Sequence, residues 1–432
     1  MKRSLILVLA AALLLSATAH AYVLSPGLAL LESDSALVRC VTADSALYFT
    51  EEDFDRACGI QVSSVIITEL PAIEAGTLKL GATDVLAFQS ISRADLKYLR
   101  FIPQREREGE VSFYIKFTQM GAVSAGNLRC SIHVLEEANS APVSASATVV
   151  TQKNMAITGT VATFDADGDE VTHRLCKGPA HGTVSLTDAH AGNFVYVPDA
   201  TYVGADSFVL QAEDLYGNPG KAVTVTVTVE RPVSALQYED MQGHWAHYAA
   251  VKLGEAGIMT GEQTSAGMVF GPDRAVTRGE FMMWLLGAAG LRADLTPVTR
   301  TVFADDEVIP VWMKKYAAAA YEAGIVLGKA SENGPLLCAD DHITRAEAAV
   351  MIDRTLEMLE LPAGVTFADH AQIPAWAQSA FANLSNLGIL QGSGGHARPM
   401  SLVDRAQAAS LLWQVSGQKQ SQSGWSLFDL FS

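Results

Sequence analysis

Cysteine and basic residues are both scarce in this sequence of 432 residues. Its five cysteines are an odd number spread along the chain, which does not indicate a disulfide framework. A disulfide between two of Cys40, Cys58 and Cys130 remains an alternative to small buried thiols. Lysine and arginine number 30 against 47 acidic residues, for a formal charge of −17. This balance argues against nucleic acid, or an anionic lipid surface, as a general partner.

Long apolar stretches are also lacking beyond the first residues. Lys2 and Arg3 precede a run rich in leucine and alanine from Leu5 to Leu15, and a small-x-small pattern ends at Ala21. This order is typical of a cleaved secretory signal, which we place at 1–21. With no second such run, we expect a secreted protein without a transmembrane segment after cleavage.

A pattern that occurs three times dominates the second half of the chain, over 236–292, 300–360 and 364–417. Each copy has an aromatic-x-Asp opening, a tryptophan, a Gly-Ile-x-x-Gly loop and then a Thr-Arg or Asp-Arg step. The order and approximate spacing hold throughout. These positions are Asp240, Asp305 and Asp369; Trp245, Trp312 and Trp376; Gly261, Gly328 and Gly392; and Arg278, Arg345 and Arg405.

Each copy is predicted to form two helices around a loop. The first helix begins near the tryptophan and ends at a glycine, Gly257 in copy one, that tolerates left-handed backbone geometry. The second helix begins at a capping box, in which a short polar side chain accepts from the third residue's amide and that residue's side chain bonds back. The boxes pair Thr277 with Glu280, Thr344 with Glu347, and Asp404 with Gln407.

The preceding residues carry a strand pattern instead. Residues 139–232 alternate β-branched and polar side chains, most clearly from Ala222 to Val229, and residues 22–138 show similar short strands. Both stretches indicate small antiparallel sandwiches. We therefore expect a multidomain chain with two all-β domains, a helical region and a flexible tail over 418–432.

The threefold pattern resembles the S-layer homology modules of bacterial surface proteins. That resemblance implies a pseudo-threefold α-helical bundle with grooves between the copies. It also implies a non-covalent bond to a secondary cell-wall polysaccharide, commonly one that carries pyruvylated, hence anionic, amino sugars. Copy three departs from the pattern because Gln407 replaces the glutamate of its box.

The sandwich at 139–232 resembles a bacterial Ig-like, cadherin-like repeat, through the segments 165–169, 181–184, 194–198 and 204–208. Residues 22–138 resemble a related cadherin-like repeat. Such modules are spacers or adhesive units, which implies other surface proteins or host and environmental ligands as further partners.

The three arginines are the main candidates for polymer contact. Each would stand at the first position of a helix, beside free amides and the positive end of the helix dipole, where a guanidinium can grip a carboxylate. The alternative is a salt bridge between copies. The residues 236–417 hold 12 basic and 20 acidic side chains, so attraction of an anionic polymer must be local.

Three further sets of residues have competing interpretations. The tryptophans match the apolar face of a sugar ring but equally suit core anchors of their helices. The loop glycines allow close approach of a ligand or of another segment. The aspartates of the openings suit contacts with sugar hydroxyls or capping roles.

Metal sites have weak support. Asp165, Asp167 and Asp169 form a candidate calcium loop, although the glycine stands at its fourth place and not at the sixth as in an EF-hand. A turn with solvated carboxylates is the simpler interpretation. His244 and His247 lie three apart, but no third zinc ligand is evident. We expect no cofactor, with calcium as the open alternative.

These observations favour a wall-anchored surface protein whose sandwich modules project outward. The alternatives are a subunit of an S-layer lattice and an exported enzyme with its catalytic part in 22–232. We expect no enzyme, because no catalytic motif such as a GxSxG elbow or a Walker loop is present and small sandwiches leave little room for a cleft.

Overall fold

The computed structural model describes residues 37–423 except 106, 120, 234, 266, 293–294, 358–366 and 393–394. The predicted signal at 1–21 lies outside them, as does the tail beyond 423. The chain forms two compact units. Among the described residues, one unit contains those up to 141 together with 213–219, and the other contains 142–212 and those from 220 onward.

The first unit consists mainly of two sheets. One sheet has the strand order β1-β10-β8-β3-β6, with β9 beside β8, and the other has the order β2-β7-β4-β5. The strands are β1 (Leu37–Thr42), β2 (Leu47–Tyr48), β3 (Ser64–Glu69), β4 (Gly76–Leu80), β5 (Thr83–Asp84), β6 (Ser90–Ser92), β7 (Leu99–Pro103), β8 (Gly109–Gln119), β9 (Ala122–Val123) and β10 (Leu128–Leu135). Helix α1 (Glu51–Cys58) and a 3₁₀ turn (Arg93–Tyr98) complete it.

Alternating burial along these strands creates the core of the first unit. In β8, Val111, Phe113 and Ile115 are buried while the residues between them are partly exposed. They join Val65 of β3 and Phe101 of β7 in one hydrophobic cluster, so the two sheets enclose a common core. The predicted short alternating strands are confirmed here, but the expectation of wholly antiparallel sheets is wrong, because β1 pairs with β10 in parallel.

None of the five cysteines, all of which lie in the described residues, forms a disulfide. Burial raises the pKa of the Cys58 thiol to about 12, with Asp55 adding to the effect. Cys130 is fully buried in the core, and this burial raises its thiol pKa too. Both thiols therefore remain protonated and unreactive at neutral pH, as expected of small apolar side chains.

A β-sandwich opens the second unit. Its larger sheets have the orders β12-β19-β18-β15 and β13-β17-β16, and β11 pairs with β14. The strands are β11 (Val143–Ser144), β12 (Ala147–Gln152), β13 (Ile157–Thr160), β14 (Thr163–Phe164), β15 (Val171–Lys177), β16 (Gly182–Asp188), β17 (Asn193–Pro198), β18 (Gly204–Asp214) and β19 (Val223–Glu230). The expectation of wholly antiparallel sheets is wrong for this sandwich too, because β12 pairs with β19 in parallel.

The strand with the strongest sequence pattern behaves as predicted. In β19 the valines at 223, 225, 227 and 229 are buried and the residues between them are more exposed. Their side chains meet Phe194 and Phe208, whose ring centroids lie 5.0 Å apart in an edge-to-face arrangement. The period of two thus selects one face of the sheet for the core.

Helices follow the sandwich in the order of the sequence pattern. Copy one has α2 (His247–Glu255) and α3 (Arg278–Ala288), with a hairpin of β20 (Glu262–Thr264) and β21 (Gly267–Val269) between them. Copy two has α4 (Val311–Glu322) and α5 (Arg345–Leu356). Copy three has α6 (Gln378–Asn386) and α7 (Arg405–Ser423). 3₁₀ turns lie at Glu239–Met241, His370–Gln372 and Ala375–Ala377.

One hydrophobic core unites the three copies. The apolar side chains of α3, which include Phe281, Trp284 and Leu285, lie in the same cluster as Met351 of α5 and Leu412 of α7. The glycines that end the first helices, Gly257, Gly324 and Gly388, have φ values of 65°, 70° and 69°, as predicted from their positions. Among the described helices, none combines the length and apolar character that crossing a membrane requires.

Candidate functional site

The candidate site begins with the aspartate of each opening. Both carboxylate oxygens of Asp240 accept hydrogen bonds, from the amides of Phe270 at 2.8 Å and Gly271 at 2.7 Å. Asp305 and Asp369 accept in the same way from the amide pairs 337–338 and 397–398. Each aspartate therefore fixes the loop that leads into the second helix of its own copy. These contacts engage the oxygens that the sequence interpretation assigned to sugar hydroxyls or caps.

A capping box then starts each second helix. The amide of Glu347 donates to the Thr344 hydroxyl at 3.3 Å, and the amide of Thr344 donates to a Glu347 carboxylate oxygen at 3.0 Å. Thr277 and Glu280 form the same pair of bonds. In copy three, Asp404 accepts from the Gln407 amide at 2.8 Å and Gln407 accepts in return at 3.4 Å, so the exchange of both residues preserves the geometry.

The arginine that follows each cap reaches across to another copy. The Nε of Arg278 donates to the Leu337 carbonyl of copy two at 3.1 Å, and the Nε of Arg345 donates to the Ala397 carbonyl of copy three at 3.0 Å. The Nε of Arg405 donates to the Phe270 carbonyl of copy one at 2.8 Å. The three contacts thus connect copy one to two, two to three, and three back to one.

The amides beside these arginines are not free, so that part of the sequence interpretation is wrong. The amide of Arg278 donates to the Asp341 carbonyl, that of Arg345 to the Ser401 carbonyl and that of Arg405 to the Arg274 carbonyl, all at 2.9–3.0 Å. The next amide of each helix also donates to the neighbouring copy. The N-terminal amides of the helices join copies instead of facing an open anion site, because the adjoining loops supply carbonyl acceptors.

The charge around the three arginines differs. The NH1 nitrogen of Arg278 lies 3.1 Å from a carboxylate oxygen of Glu347 in copy two, and both side chains are mostly buried. Arg405 is 5% exposed and stacks 4.5 Å from the centroid of the Phe270 ring. Burial and the nearby Arg274 lower the pKa of Arg405, and Glu280 of copy one raises it in part. The glutamate of the next capping box therefore forms an ion pair with Arg278, whereas Glu280 forms its ion pair with Arg274 and lies only in the vicinity of Arg405.

Arg345 occupies the equivalent position without such a glutamate. The next capping box belongs to copy three, where the residue is the neutral Gln407. Among the ion pairs of the described residues Arg345 has none, and a second bond runs from its NH2 to the Gln391 carbonyl at 3.0 Å. Burial lowers the pKa of Arg345, Arg398 lowers it further, and Asp404 and Asp369 only partly compensate. No capping-box glutamate therefore lies beside Arg345, and the carboxylates that act on it are those of Asp404 and Asp369.

Lys329 is a further basic residue at this site that the sequence interpretation missed. It follows Gly328, and its Nζ lies 3.1 Å from Asp341 and 3.4 Å from Glu347. Partial burial alone would lower its pKa, but these carboxylates raise it above the ordinary value. The signal in the sequence was its place directly after the loop glycine of copy two, where copy one has Glu262.

The tryptophans of the three copies differ in exposure. Trp312 is 57% exposed and Trp376 is 58% exposed, although both stand at the start of a helical segment. Trp245 is half-buried and packs against the shared core. The structure therefore leaves two indole rings available at the surface and places the third in a junction with the sandwich.

The loop glycines are approached by protein groups. A Cβ added at Gly261 would lie 2.4 Å from the Tyr238 ring, and one at Gly328 would lie 2.7 Å from Pro335. At Gly392 it would lie 3.1 Å from the Phe367 ring. In copies one and three the aromatic residue of the opening packs on its glycine, and in copy two Phe303 lies 3.1 Å from the same point.

Calcium binding by the loop of Asp165, Asp167 and Asp169 stays a prediction, whereas no zinc site was predicted at His244 and His247. Asp165 accepts hydrogen bonds from the amides of Asp167 and Asp169 at 3.0 and 3.3 Å, which is the geometry of a tight turn. His247 is buried, and this burial, together with His244, lowers its pKa to about 4. The imidazole of His247 is therefore neutral at physiological pH.

Comparison with known families accounts for both parts of the second unit. The family model described as "Bacterial Ig domain" matches residues 139–230, and the model "S-layer homology domain" matches residues 237–282. The chain carries a bacterial Ig domain followed in sequence by an S-layer homology domain. This finding confirms the two resemblances on which the sequence interpretation relied for residues 139–282.

Curated relatives agree with that assignment. The chain is 30% identical over 173 residues to "S-layer protein EA1" of Bacillus anthracis, which covers 39% of this chain and 19% of the relative. It is 27% identical over 171 residues to an "S-layer protein" of Bacillus licheniformis, covering 39% and 18%. The S-layer homology domain and these relatives identify a cell-surface protein anchored at the cell wall.

A curated relative that has the name of an enzyme is also similar to the chain. The chain is 27% identical over 201 residues to an "Amylopullulanase" of Thermoanaerobacterium thermosulfurigenes, which covers 44% of this chain and 10% of the relative. The chain spans between a tenth and a fifth of the length of these curated relatives.

Proposed function

We propose that this protein binds an anionic secondary cell-wall polysaccharide through its three copies, acting together as a pseudo-threefold set of S-layer homology repeats. The ring of contacts from Arg278, Arg345 and Arg405 to the next copy supports this arrangement. The Ig-like modules act as spacers or adhesive units that project from the wall. We propose no catalytic activity of the chain's own.

Of the three arginines, Arg345 is the one whose neighbouring capping box offers no glutamate, and this observation carries the proposal. Copies one and three have a glutamate from the next capping box near their arginine, whereas Arg345 faces the position of Gln407. A carboxylate of the polymer, such as a pyruvyl ketal on an amino sugar, would take the place of that glutamate. An arginine beside a carboxylate in a mostly buried setting forms a strong, charge-assisted hydrogen bond.

The exposed tryptophans supply the second half of a sugar-binding surface. Trp312 and Trp376 present indole faces to solvent at the start of copies two and three. Each exposed indole keeps a large apolar surface in contact with water, so excluding that water on binding would contribute favourable free energy. Stacking on the apolar face of a pyranose ring would provide that gain.

A sedimentation experiment tests the proposal. The full chain is mixed with purified wall sacculi, and with sacculi from which the secondary polymer has been extracted while the peptidoglycan is left intact. We expect the protein to sediment with the first preparation and to remain in the supernatant with the second. Equal sedimentation with both preparations would refute binding to the secondary polymer and favour peptidoglycan itself.

An S-layer lattice subunit is the second candidate, favoured by the likeness to two S-layer proteins. A lattice subunit would assemble into ordered sheets when the purified protein is concentrated without wall material. Electron microscopy of such samples distinguishes the two functions, since a wall-anchored spacer protein would stay dispersed.

A further inference from the structure

A cavity of about 270 Å³ lies between the Ig-like sandwich and copies one and three. Strand β13 forms one wall, and the start of α2, the loop after α6 and the middle of α7 form the others. Its lining shares one residue with the contacts of the three arginines, Gln391, whose carbonyl accepts a hydrogen bond from Arg345.

Aromatic rings form the apolar part of this cavity. Trp245, Tyr248 and Trp413 line it, and each is only partly buried. The centroids of the Tyr248 and Trp413 rings lie 5.7 Å apart at an interplanar angle of 80°, so the two rings form a corner. A flat ligand with an apolar face can stack on one ring of such a corner and touch the edge of the other.

Neutral polar groups complete the lining. Gln391 donates to the Thr160 hydroxyl at 2.6 Å, and the side chains of Gln414 and Ser410 also line the cavity. Carboxamides and hydroxyls can each donate and accept hydrogen bonds, which is what the hydroxyls of a sugar require. The lining contains no charged side chain, and the nearby Lys252 is paired with Glu255 at 2.9 Å.

The absence of charged side chains in the lining favours an uncharged ligand. A carboxylate or phosphate placed in this cavity would lose hydration without gaining a cation. The volume lies just below the range of about 300–1,000 Å³ typical of small-molecule sites, so it suits a single sugar ring. Aromatic stacking together with amide and hydroxyl contacts is the combination that a neutral pyranose uses.

The cavity is formed in advance, because hydrogen bonds fix its walls. The Tyr248 amide donates to the Ala156 carbonyl at 3.3 Å, and the Gly395 amide donates to Asp188 of the sandwich at 3.0 Å. With the bond between Gln391 and Thr160, these contacts tie the sandwich to copies one and three. A ligand would therefore enter a rigid cavity, and binding would cost little conformational entropy of the surrounding side chains and loops.

We propose that this junction cavity is a second saccharide site, which takes one uncharged hexose or N-acetylhexosamine ring of a wall glycan. The site goes beyond the anionic-polymer function, because it uses different side chains and selects against charge. It would let the protein contact a neutral part of the wall in addition to the anionic polymer.

Saturation-transfer NMR on the full chain tests the site with three probes: chitotriose in its N-acetylated form, maltotriose and glucuronic acid. We expect transfer to at least one neutral probe. Glucuronic acid reports on the carboxylate site proposed at Arg345, so its transfer signal should be the same in the cavity variants described below and in the unmodified chain. Binding of chitotriose alone would assign the site to N-acetylhexosamine glycans such as peptidoglycan strands, and binding of maltotriose would assign it to neutral hexoses. Failure of both neutral probes to bind at millimolar concentration would overturn the proposal.

Two substitutions locate the binding in the cavity. Trp413→Ala removes a stacking ring, and Ser410→Met fills the space while keeping the rings, so the second variant covers a loss of stability in the first. Both should weaken binding of the neutral probe by about tenfold or more, the factor that corresponds to about 1.4 kcal/mol. Phe164→Ala, at a 71% exposed ring elsewhere on the sandwich, is the control and should bind as the unmodified chain does. Unchanged binding in both cavity variants would overturn the proposal.

Discussion

The Nε of Arg405 donates a 2.8 Å hydrogen bond to the carbonyl oxygen of Phe270, a residue 135 positions earlier in the chain. The same guanidinium donates from NH2 to the Thr260 carbonyl at 3.0 Å and stacks on the Phe270 ring. Copy three is thereby joined to copy one, and the contacts between successive copies close into a ring. Arg405 therefore contributes to the assembly of the repeats before it contributes to any ligand.

Replacement of Arg405 by alanine should destabilise the second unit. The Phe270 and Thr260 carbonyls would lose their donor in a buried setting, and each unsatisfied group costs about 1–3 kcal/mol. We expect the free energy of unfolding, measured by chemical denaturation followed by circular dichroism, to fall by about 2–4 kcal/mol. Arg398→Lys, at an exposed arginine of the same copy, should change it by less than about 0.5 kcal/mol. If both variants changed the free energy of unfolding equally, the contacts of Arg405 with the Phe270 and Thr260 carbonyls would not stabilise the fold.

A glutamate at position 407 should weaken binding of the polymer at Arg345. Gln407→Glu would place a carboxylate beside Arg345, as Glu347 lies beside Arg278, and this internal partner would compete with the polymer. We expect weaker retention on wall sacculi without loss of thermal stability.

The reverse substitution, Glu347→Gln, serves as the matched counterpart. It should leave the retention mediated by Arg345 intact, and it should free Arg278 for a carboxylate from the polymer. If Gln407→Glu bound sacculi as well as the unmodified chain does, Arg345 would not be a site for the polymer's charge.

Alanine at Trp312 and Trp376 should separate binding from folding. Both rings are more than half exposed, so their removal takes little buried surface from the core. We expect the double variant to melt within a few degrees of the unmodified chain and to show clearly weaker retention on sacculi. Trp284→Ala provides the contrast, since this ring is 9% exposed in the core and its loss should lower stability instead. Full retention by the double variant would exclude a stacking role for the exposed rings.

Much of this arrangement was predictable because it depends on neighbours in sequence. The capping box of Thr344 and Glu347 spans three residues, and the left-handed glycine at 324 follows the last turn of its helix. The alternation of β19 likewise selects its buried face without reference to distant residues. Local rules of helix capping and strand periodicity were sufficient for these features.

Other features could not be predicted because their partners are distant in sequence. The backbone amide of Arg345 donates to Ser401, and its Nε donates to Ala397, 52 residues away. Because neither acceptor is a neighbour in sequence, the position of Arg345 at a helix start suggested free amides and an open anion site. The different exposure of Trp245 and Trp376 has the same origin, because the sandwich lies against copy one at the junction cavity. Identical motif positions thus acquire different surroundings through tertiary contacts.

The ion pair of Asp306 and Lys314 should make stability depend on acid pH. A hydrogen bond from Lys314, with further bonds from Thr301, lowers the pKa of Asp306 from 3.8 to about 2 in the folded chain. Because the folded pKa lies below the unfolded one, the contribution is complete above pH 3.8 and disappears as the pH falls through about 2. The difference in melting temperature between the unmodified chain and Asp306→Asn should therefore shrink over that interval. Lys314→Met removes the same pair and should show the same trend, whereas a constant difference would refute the assignment.

The central claim is that the protein recognises the negative charge of a wall polysaccharide. Isothermal titration of the full chain with the purified secondary polymer tests it most directly, before and after mild acid has removed the pyruvyl ketals. We predict that removal of the ketals lowers the affinity by at least about tenfold, since the carboxylate that completes the surroundings of Arg345 is lost. Equal affinity for both forms of the polymer would contradict the account.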